Sequence, residues 1–240
     1  MASILLVSAL LLALSAPASA QTPKAVVRIG GSSTVFPIMQ RAIASYQRGG
    51  RHRDVRFDLK ESGTSAGFRQ FCRGELALAN ASRPINADEL ALCGKNKIDF
   101  LELPIAFDAV TIVVNVSNTA VGSISMKQLN KIWDRKAQGK IVSWNQVDPV
   151  WPARPLKLCG PGSDSGTYDY FNKAVNGDPL NSRTDYTSSE DDQVLVRCVA
   201  QNPNALAYFG FAYYSANRRS LKALNVLGSK GLVAPSVKTV

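Results

Sequence analysis

The sequence predicts an α/β fold with mainly parallel sheets, and two observations support this prediction. Some short segments are apolar, or have apolar residues at every second position, as is typical of strands. Along the chain they alternate with segments whose apolar residues recur at helical spacing. Three of these strand-to-helix transitions share a turn that is rich in glycine, serine and threonine. The 240 residues, 45% of them hydrophobic, suffice for one large domain or two of moderate size.

The first two transitions follow the same plan. Residues 24–30 alternate like a strand and run into the turn Gly30-Gly-Ser-Ser-Thr34, after which Pro37 suits the first turn of a helix. Residues 55–59 form the next predicted strand, and Glu61-Ser-Gly-Thr-Ser-Ala-Gly67 leads into another helical segment. Each turn therefore stands between the carboxyl end of a strand and the beginning of a helix.

Shorter elements follow before the chain enters a second lobe. We predict a strand at 76–80, a helix capped by Asn86 and a strand at 99–103. The proline-containing stretch Pro104 to Val110 interrupts this pattern before a very apolar strand at 111–116. We interpret this stretch as a first crossing between lobes.

The third transition lies in the second lobe. A capping box begins a helix at Ser125, and a strand at 156–159 delivers the turn that starts at Gly160. The spacing of Tyr168 and Phe171 predicts that the next helix begins at 165–167. This turn has the same composition as the first two.

A second crossing is predicted where the chain leaves this lobe. Residues 205–211 are apolar, and Gly210 permits a backbone bend. Residues 221–226 are then expected to add a last strand to the first lobe. We expect residues 21–107 with 211–240 to form the first lobe, and residues 108–210 to form the second.

The three turns together predict an anion site. A single glycine and hydroxyl turn usually only connects two elements. At the carboxyl edge of a parallel sheet, however, α/β proteins bind their ligands, and helix starts offer unpaired N–H groups and a positive dipole end. Three such turns at one edge would surround an anion with donors.

The first twenty residues predict export. They contain no charged side chain, an apolar block from Ile4 to Leu14, Pro17 and the tripeptide Ala18-Ser-Ala20. This pattern is typical of a secretory signal peptide at 1–20, cut before Gln21, and an uncleaved membrane anchor is the alternative. The expected location is the periplasm.

The four cysteines, in an exported protein, favour two disulfides. Three pairings exist, and we favour Cys72–Cys93 with Cys159–Cys198 because each pair lies within one expected lobe. A zinc site is the alternative, but the sequence has no C-x-x-C spacing and a single histidine, His52. We expect neither a metal nor a cofactor.

The net charge of +10 fits nucleic acid, an anionic surface or simply a basic protein. The expected export argues against nucleic acid. The densest basic run, Arg48 to Arg56, stands between a helical and an alternating segment, which predicts a solvated loop. The positive charge would attract small anions.

Four motifs, in this order, give the chain a resemblance to a known family. They are Gly31-Ser-Ser-Thr-Val-Phe-Pro37, Ser62-Gly-Thr-Ser-Ala-Gly67, Ala81-Ser-Arg-Pro84 and Ser163-Asp-Ser-Gly-Thr167. The chain resembles the periplasmic phosphate-binding proteins of ABC transporters, in a branch with Ala-Ser-Arg-Pro. The resemblance implies a type II periplasmic binding protein, whose two lobes are joined by a two-stranded hinge and close on inorganic phosphate.

The resemblance also implies a set of binding residues. The first turn would contribute Ser33, Thr34 and Val35, the second Thr64 and Ser65, and the third Ser165, Gly166 and Thr167. Many family members have an aspartate where this chain has Arg83, and an arginine where it has Pro161. We therefore expect Arg83 to bind the anion, with an interlobe or surface salt bridge as the alternative.

The absence of the aspartate that many family members have at the position of Arg83 bears on the selectivity for phosphate over sulfate. Phosphate keeps a proton near neutral pH and sulfate does not, so a buried acceptor prefers the first anion. Asp164 adjoins the third turn and is one candidate acceptor, although it suits the cap of the following helix equally well. Residues 190–192 are weaker candidates, since capping and solvation explain them.

The expected function is phosphate binding and delivery to a membrane permease by a monomer without enzymatic activity. Another tetrahedral oxyanion, sulfate or molybdate, would require only a change of ligand on the same fold. A secreted serine hydrolase using Ser165 is the alternative from a different class. Against this alternative, the sequence has no G-x-S-x-G elbow and no recognisable aspartate partner for His52. A Ser–Lys arrangement is not excluded by the sequence.

Overall fold

The computed structural model describes residues 25–50 and 54–239, and the predicted alternation of strands and helices is confirmed in these residues. The predicted signal peptide and His52 lie outside them. Among the described residues, no helix combines the length and the apolar character that crossing a bilayer requires.

Residues 25–100, here the N-terminal region, form a small parallel sheet with three helices among the described residues. The elements are β1 Ala25–Gly31, α1 Phe36–Arg48, β2 Val55–Glu61, α2 Thr64–Cys72, β3 Leu78–Asn80 and α3 Ala87–Lys95. The strand order is β2-β1-β3, and both pairs are parallel.

Residues 110–233, here the C-terminal region, form a larger mixed sheet and a small three-stranded one. The strands are β4 Val110–Asn115, β5 Ser123–Ser125, β6 Lys157–Pro161, β7 Thr187–Ser189, β8 Ala205–Gly210, β9 Leu221–Ala223, β10 Asn225–Gly228 and β11 Gly231–Val233. The larger sheet has the order β7-β6-β8-β4-β9, with β6 parallel to β7 and β8, and β4 antiparallel to β8 and β9. The small sheet has the order β11-β10-β5. The helices are α4 Met126–Trp133, α5 Trp144–Val147, α6 Gly166–Asn176, α7 Asp192–Ala200 and α8 Phe211–Ala216.

Two predictions about strands are wrong. Residues 221–226 do not join the first sheet, since β9 pairs with β4 and β10 pairs with β5. The reason is that β4 leaves an antiparallel edge beside the returning chain, where Leu221 pairs with Asn115 and joins the same buried cluster as Val113. Residues 99–103 are not a strand, because Pro104 cuts the segment short and no strand lies beside it.

The two large apolar clusters of the described residues lie in the C-terminal region. Both clusters of buried apolar residues draw their members from residues 112–224. Trp133 packs edge-on against Phe171 and Tyr208, and these two rings stack with centroids 3.7 Å apart. The N-terminal region buries only Ile29, Val35, Cys72 and Cys93 among its apolar residues, and α1 buries none.

Both predicted disulfides are present. Cys72–Cys93 joins α2 to α3, and Cys159–Cys198 joins β6 to α7. Each bond therefore lies within one region, as the pairing argument expected.

Candidate anion-binding site

The first turn carries the chain from β1 into α1. Gly31 has a φ of +125°, and a Cβ there would lie 2.1 Å from the carbonyl oxygen of Asn80, so only glycine fits. Ser33 is buried, and its carbonyl oxygen accepts a hydrogen bond of 2.8 Å from the Tyr213 hydroxyl. Among the described residues, the N–H groups of Thr34 and Val35 donate to no backbone carbonyl. The turn thus presents unpaired donors at the start of a helix.

The second turn is tied to the Ala81–Pro84 motif. Thr64, the first residue of α2, is fully buried, and its hydroxyl oxygen lies 3.1 Å from the hydroxyl of Ser82. The same hydroxyl oxygen of Thr64 accepts a hydrogen bond of 3.2 Å from the Ser82 N–H. Ser82 is a polar residue of the site that the sequence did not single out.

The third turn begins α6 at the predicted place. Ser165 is the N-cap, and its hydroxyl accepts hydrogen bonds from the N–H groups of Thr167 and Tyr168 at 3.2 and 3.4 Å. A Cβ on Gly166 would lie 2.5 Å from the Ser82 hydroxyl and 2.9 Å from that of Thr64. Gly166 is therefore a point of close approach between the two regions.

All three turns meet between the two regions. The hydroxyls of Thr34 and Thr167 are 3.4 Å apart, and the Ser65 N–H donates to the Asp164 carbonyl oxygen at 2.8 Å. The sequence-predicted residues therefore lie around one contact. They are Ser33, Thr34, Val35, Thr64, Ser65, Arg83, Asp164, Ser165, Gly166 and Thr167.

Arg83 is held by protein groups on every side. Its guanidinium donates to both carboxylate oxygens of Glu89 at 2.8 Å, to Asp169 at 2.8 Å and to the Ser65 hydroxyl at 2.7 Å. A further bond to the Pro84 carbonyl is 3.0 Å long. Because Asp169 belongs to α6, Arg83 forms the interlobe salt bridge that was the alternative to anion binding, and the expected bidentate contact with an anion stays a prediction.

Asp164 also joins the two regions. It accepts a hydrogen bond of 2.8 Å from Arg69 of α2, and its side chain is 35% exposed. The suggestion that it caps the following helix is wrong, because Ser165 occupies the cap. Its partner Arg69 makes it a poor acceptor for a ligand proton.

Residues 190–192 differ from one another in a way that the sequence did not predict. Asp191 caps α7, as expected, and accepts from the Gln193 N–H at 2.7 Å. Glu190 lies between Gly63 and Gly162, and Asp192 is only 2% exposed. Solvation therefore does not explain Glu190 and Asp192, and the sequence prediction is wrong for these two residues.

The burial of these carboxyls changes their acidity. Burial raises the pKa of Glu190 to about 7, although the Asp164 N–H, which donates to Glu190 at 3.1 Å, opposes the change. Burial raises the pKa of Asp192 to about 7 as well, opposed by a hydrogen bond from Ser33. The contact between the two regions thus combines several hydroxyl groups with carboxyls whose pKa lies near neutral pH.

The described residues do not assemble a hydrolase triad or a metal centre. Ser165 uses its hydroxyl as a helix cap, and the only histidine lies outside the described residues. No group of three or more metal-ligating side chains occurs in the described part of the chain.

Comparison with known proteins identifies the family. A sequence model described as a PBP superfamily domain matches residues 17–240. The chain belongs to the PBP superfamily. This membership confirms the expected α/β binding-protein fold.

Two curated relatives show how far the likeness extends. Protein SphX of Synechocystis sp. is 45% identical over 231 residues, which is 96% of this chain and 68% of the relative. The phosphate-binding protein PstS of Staphylococcus saprophyticus is 34% identical over 217 residues, or 89% of this chain and 65% of the relative. The resemblance noted from the motifs is thus confirmed. The chain spans about two thirds of the length of either protein.

Solved structures agree with this assignment. One, described as a possible phosphate binding protein from Planctomyces limnophilus, is 38% identical with a TM-score of 0.58, covering 89% of this chain and 75% of that one. A phosphate ABC transporter substrate-binding protein from Clostridium perfringens, with bound phosphate, has a TM-score of 0.66 at 24% identity and covers 84% of this chain and 75% of that one. The second likeness concerns the fold alone.

Proposed function

We propose that this PBP superfamily member binds inorganic phosphate between its two regions. The observation that carries the proposal is the meeting of three hydroxyl-rich helix starts, in which Thr34 and Thr167 from opposite regions lie 3.4 Å apart. The N–H groups at helix starts and the hydroxyl groups donate hydrogen bonds. The oxygens of a tetrahedral oxyanion accept them, and a protonated oxyanion can also donate one or two. The phosphate-binding relatives named above support the choice of ligand.

Calorimetric titration of the ligand-stripped protein with phosphate, sulfate and molybdate tests this proposal. We expect tight binding of phosphate and weak binding of the other two anions. Thr167→Val, which removes one hydroxyl and keeps the shape, should weaken phosphate binding about tenfold. Thr119→Val, at an exposed threonine far from the cleft, is the matched control. If sulfate or molybdate bound as tightly as phosphate, the assignment of phosphate as the ligand would be wrong.

We also propose that binding is coupled to closure of two lobes. The crossings at Pro104–Val110 and Ala207–Phe211 lie side by side, since Val110 pairs with Gly210 and the Phe211 N–H donates to the Ala109 carbonyl at 2.9 Å. This paired segment suits a two-stranded hinge between lobe 1 (21–107) and lobe 2 (108–210). Residues 221–223 pair with β4 and residues 225–228 pair with β5, so we propose that residues 221–228 belong to lobe 2 and not to lobe 1, where the sequence predicted residues 211–240. Small-angle scattering with and without phosphate should show a smaller radius of gyration in the bound state.

The remaining parts of the proposal concern the role of the protein in the cell. The predicted signal peptide supports export to the periplasm, and the phosphate-binding relatives support delivery of phosphate to a membrane permease of the ABC type. We propose that the protein acts as a monomer. We propose no catalytic step. A fluorophosphonate probe should leave Ser165 unlabelled, and stoichiometric labelling there would instead establish a serine hydrolase.

A further inference from the structure

A cavity of about 330 Å³ lies at the end of the larger sheet that is opposite to the third turn. The third turn follows the carboxyl end of β6, whereas the cavity opens beside the amino end of β8 and the carboxyl end of the antiparallel strand β4. Three segments line it, namely residues 117–121 after β4, residues of α5 and the loop behind it, and residues 203–204 before β8. Its volume is in the range of pockets that bind small organic molecules.

Trp144 holds the walls of this cavity together. Its side chain is 1% exposed, and its indole N–H donates to the carbonyl oxygen of Asn204 at 3.1 Å. Its backbone N–H donates to the carbonyl oxygen of Arg154 at 3.0 Å. The loop after β4 is fixed as well, because the Asn118 side chain accepts a hydrogen bond of 3.2 Å from the Val121 N–H. The cavity is therefore formed before a ligand arrives, and little ordering opposes binding.

The charge in the lining of this cavity is positive. Arg154 lies at the exposed rim, and its guanidinium forms no ion pair with any of the described residues. None of the described residues that line the cavity is Asp or Glu, and Thr119 adds a hydroxyl group. A guanidinium without a counter-ion in a concave site favours an anionic ligand group, and its planar fork matches the two oxygens of a carboxylate.

Apolar side chains form much of the remaining lining. Val150 is 85% exposed although it is apolar, and Pro152 and Pro203 line the same cavity. A ligand with an apolar body would remove these surfaces from water, which favours binding. An inorganic anion would leave them exposed. The lining therefore fits a molecule that combines an anionic group with an apolar body.

We propose that this cavity binds a small organic carboxylate, which pairs with Arg154 and lays its apolar body against Val150 and the two prolines. The site differs from the proposed phosphate site in its place on the sheet and in the chemistry of its ligand. A carboxylate is therefore a second ligand of the protein, bound at the far end of the C-terminal region. Neither proposal depends on the other.

Calorimetric titration with 3-phenylpropionate, in the presence of saturating phosphate, tests the inference. This probe has one carboxylate and one apolar ring, and we expect a Kd below about 1 mM. The neutral amide 3-phenylpropionamide has the same shape without the charge and should bind at least about tenfold more weakly. Equal binding of the two probes, or no binding of 3-phenylpropionate up to about 10 mM, would overturn the proposal.

Two variants locate the binding of the probe. Arg154→Gln removes the charge at the rim and should weaken 3-phenylpropionate binding at least about tenfold. Arg197→Gln, at an exposed arginine of α7 that does not line the cavity, is the matched control and should leave it unchanged. Val150→Ser, at an exposed position where folding is not at stake, should weaken it about threefold. No loss in Arg154→Gln, or an equal loss in Arg197→Gln, would contradict the assigned site.

Phosphate titrations separate this inference from the proposed function. Arg154→Gln should bind phosphate as the wild-type protein does. If phosphate displaced 3-phenylpropionate in competition, the carboxylate would be bound at the phosphate site, and only this inference would fall. If the wild-type protein bound 3-phenylpropionate through Arg154 and bound no phosphate, only the proposed function would fall.

Discussion

The two regions that meet at the candidate anion-binding site are each stabilised by different means. The C-terminal region packs both apolar clusters around Trp133, Tyr208 and Leu195. The N-terminal region has one thin parallel sheet, a disulfide, and many apolar side chains at its surface. These are Val26, Ile38, Tyr46, Leu78, Leu90 and Phe100, each more than 40% exposed.

This difference shows where the rigidity of the site comes from. The third turn stands on a packed core, because Phe171 of α6 stacks on Tyr208. The first two turns are positioned instead by backbone contacts such as Gly31 on Asn80, and by the polar links from Thr64 to Ser82 and from Arg83 to Asp169. We therefore expect the two regions to respond differently to the same kind of perturbation.

The largest effect is expected in the apolar core of the C-terminal region. Trp133→Ala would remove a fully buried ring and leave a cavity beside Phe171 and Tyr208, at a cost of about 4 kcal/mol in the free energy of unfolding. Urea denaturation measures the loss. Tyr46→Ala, at an aromatic residue of α1 that is 45% exposed, is the control and should cost far less. Similar losses in the two variants would contradict the proposed difference between the regions.

The next largest effect on the free energy of unfolding is expected from removal of the disulfides, one of which lies in each region. Replacing Cys72 and Cys93 by alanine opens a loop with a sequence separation of 21, and chain entropy predicts a loss of about 3 kcal/mol. Since little apolar burial supports α2 and α3, hydrogen exchange should show these helices opening on their own. The double alanine variant at Cys159 and Cys198, with a separation of 39, is the matched control. It should unfold cooperatively, and uniform exchange in both variants would show that the regions do not differ.

The contact between the regions predicts an unusual dependence on pH. Burial raises the pKa of Glu61, Glu190 and Asp192 to about 7, above their unfolded values, so the ligand-free folded state binds more protons. This stabilisation is complete below the unfolded pKa values and is lost as the pH rises through about 7. The free energy of unfolding should be lower at about pH 8 than at about pH 5.5, on the order of 2 kcal/mol after solvent screening.

Urea titrations at the two pH values measure this difference. Glu190→Gln should reduce it, while Asp178→Asn, at an exposed carboxyl after α6, should not. Stability that rises steadily between the two pH values would refute the protonated state of these carboxyls.

The smallest effect is expected on α1. Ile38→Gln changes a side chain that is 44% exposed and should alter the free energy of unfolding by less than about 0.5 kcal/mol. Ile132→Gln is the contrasting variant, because it places the same amide in the apolar core of the C-terminal region. A loss above about 1 kcal/mol from Ile38→Gln would mean that this face of α1 is covered in the folded protein.

Local signals in the sequence determined much of the fold. The helix cap at Asn86, the capping box at Ser125 and the start of α6 after Ser165 are confirmed, because caps and glycine turns depend on neighbouring residues. Both disulfides are confirmed as well, each within one region. The meeting of the three glycine and hydroxyl turns followed from a general rule about the carboxyl edge of parallel sheets. No knowledge of side-chain contacts was needed for these conclusions.

Tertiary structure alone decided the strand partners and the partners of the charged groups. The strand pattern of residues 221–226 suits either sheet, and the open edge of β4 settled the choice. Arg83 and Asp164 stood beside the anion motifs, but which group a guanidinium or carboxylate meets depends on residues far away in the chain, here Asp169 and Arg69. Asp192 looked like a solvated helix start for the same reason, since burial is a property of the assembled regions and leaves no trace in the local sequence.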